Sequence, residues 1–463
     1  MRRIIHRGIL TCSVVLLLAW TACGPGRAFL QEWYSTQAAG GAEAAGGSAE
    51  PLSDPGDALP ASGSGEAEGE NAGGWRRTVT EFLQEIPGIR DYMEVLPEGE
   101  SLFVNRAPVF YYYEQLEAEE QALYDAMWTV VQDPTSTEYR KKVRIYADPA
   151  SEEFEKEITR ALHALENDHP ELFWLRQSGT FRYYYLDRRD REGRYALMVQ
   201  LSEAYDRYEQ EMTAFNEAVR QFMEGIDLTE PDPLVALAIH DRLIDLVSYD
   251  LVLAGEEQAE DSSDYGYTAY GALVANSRGE PNTAVCDGYT YAYQYLLQQA
   301  GIEAVRVAGY AGDSYETAGG HSWTVLRLDD GWYEVDATWD DNNPGFDQND
   351  PDNWLLNAAV SDGDYWDRIR HYMYGLTTEE ISWFVPDDSF TYYYESDTWT
   401  GHASFLGESV HIRDTEEEQE ETHDYITFLA PEAYGTLYTY DYLVNWRWQR
   451  LQEQSMGAEG EEG

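Results

Sequence analysis

Three cysteines in 463 residues are too few for a disulfide framework. Cys12 and Cys23 fall in an N-terminal leader, so Cys286 is the one thiol left in the body of the chain. Positive charge is also scarce: 31 basic residues stand against 86 acidic ones, a formal net charge of −55. That balance excludes nucleic acid and anionic lipid as partners, because both require a positive face. The apolar run Ile9 to Trp20 is too short to span a bilayer as a mature helix. No second cysteine or histidine pair suggests a structural zinc site. The acidic stretch Asp340 to Asn353 lacks the glycine and terminal Glu spacing of a calcium loop. No metal or cofactor is therefore expected. No internal repeat of fixed period is present either.

What is there begins with an export signal. Arg2, Arg3 and Arg7 precede the apolar run, and Leu18-Ala19-Trp20-Thr21-Ala22-Cys23-Gly24 resembles a bacterial lipobox, with Trp20 where Leu is usual. The resemblance implies lipidation at Cys23; an ordinary secretory leader cut nearby is the alternative. Either way the body is exported, and the expected location is the extracytoplasmic face of a bacterial cell membrane. From about Ser35 to Gly74 the chain is rich in Ala, Gly, Ser, Glu and Pro. It cannot bury enough surface to offset its ordering entropy and reads as a disordered tether. Some fifty residues of this kind span roughly 40 Å as a flexible coil.

The pattern divides the chain into a signal peptide (1–23), the tether (24–74), an N-terminal α+β region (75–231), a site-bearing unit (232–390), a strand-rich extension (391–453) and a disordered tail (454–463). In the N-terminal region, Leu116 to Val131 and Phe154 to Leu165 have helical spacing. Val143 to Tyr146 reads as a strand, and Phe181 to Leu186 can pair with Tyr195 to Leu201 across Asp190 to Gly193. Tyr205 to Ile226 predicts a long charged helix. No catalytic constellation stands out there, so a packing or substrate-presenting role is expected.

The chemistry concentrates at Cys286. Tyr289, Ala292, Tyr293, Leu296, Leu297 and Ala300 follow helical spacing up to Gly301, which places Cys286 at a helix N-terminus. There the helix dipole favours a thiolate, and first-turn amides could hold an oxyanion. Gly288 leaves room for backbone and substrate to approach. Downstream, Ser322 to Leu328 and Trp332 to Trp339 read as a hairpin around Asp329-Asp330-Gly331. With Asp329-Asp330 at the centre of the turn, Asp336 falls opposite Trp323 and His321 is two residues along on the same face. Centring on Asp330-Gly331 moves Asp336 opposite Val325, too far away, and a three-residue loop puts the two on opposite faces. A catalytic pair thus depends on one hairpin register. Trp323, Trp339 and Tyr310 are candidates to line a cleft, although aromatics near a hairpin are more often core. His240 reads as a packing or surface histidine.

The stretch from Ala269 to Asp341 carries Cys286-Asp287-Gly288-Tyr289, Ala300-Gly301-Ile302, His321-Ser322-Trp323 and Val335-Asp336-Ala337-Thr338-Trp339-Asp340-Asp341. In these motifs it resembles the transglutaminase-like superfamily, with Ala337 where that family often has Pro. The resemblance implies an α+β fold with a papain-like core, in which the nucleophile helix packs on an antiparallel sheet. It also implies Cys286 as nucleophile, His321 as general base and acid, and Asp336 as orienter of the imidazole. The expected substrate is an amide bond in a protein or cell-wall peptide. Hydrolysis is slightly favoured over crosslinking, and a non-catalytic scaffold is the reading from a different class.

Overall fold

The computed structural model describes residues 110–175, 181–255, 263–341, 370–385, 391–396, 399–404, 409–413 and 428–461. The leader with Cys23, the tether, the start of the N-terminal region, most of the Asp340 to Asn353 stretch and the acidic run near 415–421 lie outside the described residues.

The N-terminal region forms a small α+β layer. Helix α1 (Ala118–Val131) packs on a sheet of β1 (Lys141–Ile145), β2 (Phe181–Tyr185) and β3 (Tyr195–Leu201), and α2 (Glu152–Asp168) packs against α1. The strand order is β1-β3-β2, antiparallel throughout, with Val143 opposite Leu197 and Tyr183 opposite Val199. Glu117 and Glu120 close a capping box on α1, and Ser151 caps α2 by accepting from the Phe154 amide at 3.2 Å. The apolar stripe of α1 (Leu123, Met127, Val130 and Val131) is fully buried. Each such side chain contributes about 1.5–3 kcal/mol relative to exposure. The charged helix expected from Tyr205 is α3 (Tyr208–Met223).

Helix α4 (Asp232–Leu246) then leads to β4 (Ser248–Tyr249) and α5 (Leu251–Gly255). After α6 (Ala269–Leu273), the short β5 (Thr283–Ala284) pairs in parallel with β4. Helix α7 (Cys286–Gln299) follows directly, and all fourteen of its residues are buried. It closes as the sequence predicts: the Gly301 N–H donates to Gln298 C=O at 3.1 Å and the Ile302 N–H to Leu297 C=O at 2.9 Å.

Helix α7 packs on a five-stranded antiparallel sheet ordered β12-β6-β7-β8-β9. Its strands are β6 (Ala304–Gly312), β7 (Gly319–Leu328), β8 (Gly331–Val335), β9 (Tyr374–Leu376) and β12 (Val410–Arg413). The predicted strand Trp332 to Trp339 ends earlier, because α8 (Ala337–Asp341) begins right after Asp336. Helix α9 (Thr378–Ser382) follows β9, and β10 (Thr391–Ser396) and β11 (Trp399–Ser404) form a separate hairpin. Strand β12, from the region read as strand-rich, occupies the edge of the central sheet beside β6. One expectation for the C-terminal part needs correction. Residues expected as strand and disordered tail form α10 (Tyr440–Glu461), a helix without proline or an early glycine to stop it.

The N-terminal layer is joined to α7 by polar contacts. Tyr291 Oη donates to Asn167 Oδ1 at 3.1 Å, and Gln294 Nε2 donates to Asn167 C=O at 2.9 Å. That layer thus braces α7.

Candidate active site

Cys286 is the first residue of α7 and is fully buried. The chain reaches it through Val285, whose N–H donates to Gly266 C=O at 3.0 Å. Gly288 explains how tightly this start is packed: a Cβ there would lie 2.6 Å from the carbonyl oxygen of Gly266 and 2.6 Å from the Ala284 Cβ. The predicted close approach is therefore one of backbone to backbone, with Gly266 and Thr268 filling the space that a substrate was expected to use.

Asp287 links the start of α7 to the sheet. Its Oδ1 accepts Ser322 Oγ at 2.7 Å and the buried Arg306 guanidinium at 2.6 Å. Thr290, one turn further along, donates to the Ser322 carbonyl at 3.0 Å. The neighbour of Cys286 is thus bonded to the neighbour of His321. The Arg306 charge matters here, because an uncompensated carboxylate beside a thiol would oppose thiolate formation.

The hairpin adopts the register that allows the histidine and the aspartate to meet. Leu328 pairs with Gly331 and Thr324 with Val335, a register that brings Asp336, just past the strand's end, level with Trp323. His321 Nε2 donates to Asp336 Oδ2 at 2.6 Å, both groups buried. Asp336 Oδ1 accepts the backbone amides of Thr338 at 3.0 Å and Trp339 at 3.1 Å, the first turn of α8. Burial works against the Asp336 charge, yet His321 and then His411 outweigh it and hold the carboxyl well below the usual carboxylate range. With Nε2–H committed to a carboxylate, the imidazole presents Nδ1 as the nitrogen that can take and return a proton.

His411 is the residue that sequence reasoning missed. It comes from β12, where it pairs with Ala311, and its Nε2 lies 2.9 Å from the same Asp336 oxygen. Its ring sits edge-on to Trp323 at 5.1 Å, and its Nδ1 is buried with no hydrogen-bond partner among the described residues. Gly309 makes room for the strand that carries it: a Cβ there would meet the Ile412 carbonyl oxygen at 2.1 Å. The available signal was the alternation in Val410-His411-Ile412-Arg413. Nothing local connects it to a histidine ninety positions away in sequence.

The aromatic candidates separate. Trp323 belongs to the core, 1% exposed, with its indole N–H donating to the buried Glu334 carboxylate at 2.8 Å. It backs His321 rather than facing a cleft, with the two rings stacked 6.0 Å apart. Trp339 is partly buried and lies edge-on to His321 at 6.3 Å. Tyr310 is half-buried on β6 opposite Gly320, next to His321 in the chain. His240 is not a surface residue; it is fully buried and belongs to a second polar cluster.

Comparison with known proteins bears on this geometry. Residues 220–337 match the transglutaminase-like superfamily, a span that takes in Cys286, His321 and Asp336. The chain is 33% identical over 61 residues to the kyphoscoliosis peptidase of Mus musculus and 31% identical over 61 residues to that of Homo sapiens. Each match covers 12% of this chain and 9% of the relative, so only a small part of those proteins is represented. Among solved structures, one described as the crystal structure of a TGase aligns with 43% of this chain and 51% of its own. Its 13% identity and TM-score of 0.22 are too low to add weight.

Proposed function

On the premise that residues 220–337 are a transglutaminase-like domain, we propose that it acts on amide bonds of proteins or cell-wall peptides through Cys286, His321 and Asp336. The observation that carries the reading is the buried 2.6 Å bond between His321 and Asp336, set by the one hairpin register that permits it. The Cys286 thiolate attacks the amide carbonyl, and the oxyanion of the tetrahedral intermediate is met by the positive end of α7. His321 Nδ1–H protonates the leaving amine, the C–N bond breaks, and a thioester remains on Cys286. His321 then takes a proton from water as its oxygen attacks the thioester, releasing the acid and the thiolate. Asp336 holds the ring in the tautomer these steps need, and His411 and the α8 amides hold Asp336.

Hydrolysis is favoured because the matching stretch is shared with proteins named peptidases. The superfamily description favours a second reading, in which an amine replaces water and crosslinks two proteins. We place the domain outside the cell membrane, anchored through a lipid on Cys23, as the leader pattern supports.

The decisive measurement is the alkylation rate of Cys286 against pH. An active centre reacts faster than a free cysteine near neutral pH, and His321→Ala removes the excess. An ordinary rate, unmoved by His321→Ala, overturns the enzyme reading in favour of a scaffold. A glutamine peptide with and without a labelled amine, read by mass spectrometry, then separates hydrolysis from crosslinking. Cys23→Ser should release the protein from the membrane fraction.

A further inference from the structure

One helical turn beyond Asp336 stands a second set of imidazoles and carboxylates. The Asp340 N–H donates to the Asp336 carbonyl at 3.1 Å, so both clusters hang from α8. Asp340 Oδ2 accepts His240 Nε2 at 3.0 Å, both groups fully buried. The other nitrogen of that ring, His240 Nδ1, lies 3.4 Å from Asp241 Oδ1, and His371 Nε2 lies 2.7 Å from the same oxygen. One ligating atom from each of His240, Asp241 and His371 lies within 4.8 Å of the other two.

The rings are held by packing. His371 stacks on Tyr440 of α10 at 3.9 Å and 7°, and His240 meets Tyr374 edge-on at 4.9 Å. Arg447 Nη1 reaches Asp241 Oδ2 at 4.0 Å, which leaves the Oδ1 side to the two imidazoles. Asp241 is 35% exposed and lines a cavity of about 520 Å³ together with Arg242, Asp245 and Arg447.

Two imidazoles and one carboxylate make the donor set of a borderline divalent cation, zinc foremost. A carboxylate behind a ligating histidine fixes its tautomer and raises its basicity. Asp340 stands in that position behind His240 and leaves Nδ1 as the lone-pair nitrogen. Of the three, Asp241 is the one that opens onto the cavity. We propose that His240, Asp241 and His371 form a divalent-cation site of the zinc class, separate from the Cys286 centre, with Asp340 orienting His240. A bound ion ties α4 to the segment before β9 and, through Asp340, braces the turn on which Asp336 stands.

The test is a titration of the full chain, stripped with chelator, with zinc alone in a calorimeter. One ion per chain is expected. Asp340→Asn should weaken binding about tenfold to a hundredfold, and His371→Ala should weaken it further, with His411→Ala leaving it in place. Because His371→Ala can destabilise the fold, Asp241→Asn provides a near-isosteric second variant, with circular dichroism confirming that each is folded. Cobalt in place of zinc should give visible ligand-field bands without thiolate charge transfer. Absence of stoichiometric binding overturns the proposal. So does binding that survives in folded Asp241→Asn but is lost in His411→Ala or Cys286→Ser, since the ion would then sit at the catalytic cluster.

Discussion

Two clusters of histidine and aspartate meet at one turn of helix and differ in what surrounds them. At Asp336, both histidines (His321 and His411) donate to a single carboxylate oxygen buried to 0% side-chain exposure. At His240, the histidine is the buried centre, flanked by Asp340 on one nitrogen and Asp241 on the other, and Asp241 opens onto a cavity. A buried carboxylate shared by two imidazoles suits a fixed charge that orients a base. An imidazole between two carboxylates, one of them open to a cavity, suits a ligand. The same residue types are thus sorted by burial and by which group is shared, which composition alone does not reveal.

The largest expected effect separates the clusters by chemistry. Asp336→Asn should slow Cys286 alkylation at neutral pH, and turnover of any substrate found, by about a thousandfold, because an amide no longer stabilises the imidazolium. Asp241→Asn should change either by less than tenfold. Equal losses would show that the two clusters act as one unit.

The ion pairs on the two sides come next. Arg306→Met leaves Asp287 buried without its cation and should cost about 3–5 kcal/mol in a denaturant melt. Arg447→Met removes a pair whose side chains are 58% and 35% exposed and should cost under about 1 kcal/mol. A small loss for Arg306→Met would mean that Asp287 is neutral or that water reaches it.

His411→Gln keeps a donor near Asp336 but loses the ring packing. It should lower kcat about tenfold with KM little changed, and shift the acid limb of the pH profile. A change in KM alone would assign His411 to substrate binding instead.

The last contrast concerns Asp341, beside the His240 cluster, and is one of pH dependence. Burial pushes its carboxyl up to about 7, against the hydrogen bond donated by Tyr289. A carboxyl with a raised folded pKa binds more protons folded than unfolded. Its contribution to stability is therefore greatest at acid pH and falls as pH rises from about 4 towards 7. Asp341→Asn should match the parent near pH 4 and exceed it by on the order of 4 kcal/mol at pH 8, read from melts. A gap that widens towards acid pH would reverse the assigned sign.

Much of the site was legible because its parts are local. Helix α7 follows from the spacing after Tyr289, and the Cys286 start follows from where that spacing begins. The hairpin restricted His321 and Asp336 to three registers, each with a definite consequence for the pair. His411 and His371 were not legible, because each is brought in by a strand or segment far along the chain. The end of β8 at Val335 was missed for a related reason: the Asp336 carboxylate caps a new helix by accepting from Thr338 and Trp339, and that cap overrides a strand-like pattern.

By itself the sequence determined that Cys286 starts a helix, that a histidine and an aspartate follow on a hairpin, and that the chain carries a large net negative charge. Those are consequences of period, turn residues and charge, which act over a few residues or over the whole chain. Only the tertiary structure decided which register the hairpin takes, that β12 brings His411 to Asp336, and that α8 joins two histidine clusters. Such contacts are fixed by packing between distant segments, where closing the loop and burying the polar groups together select one arrangement.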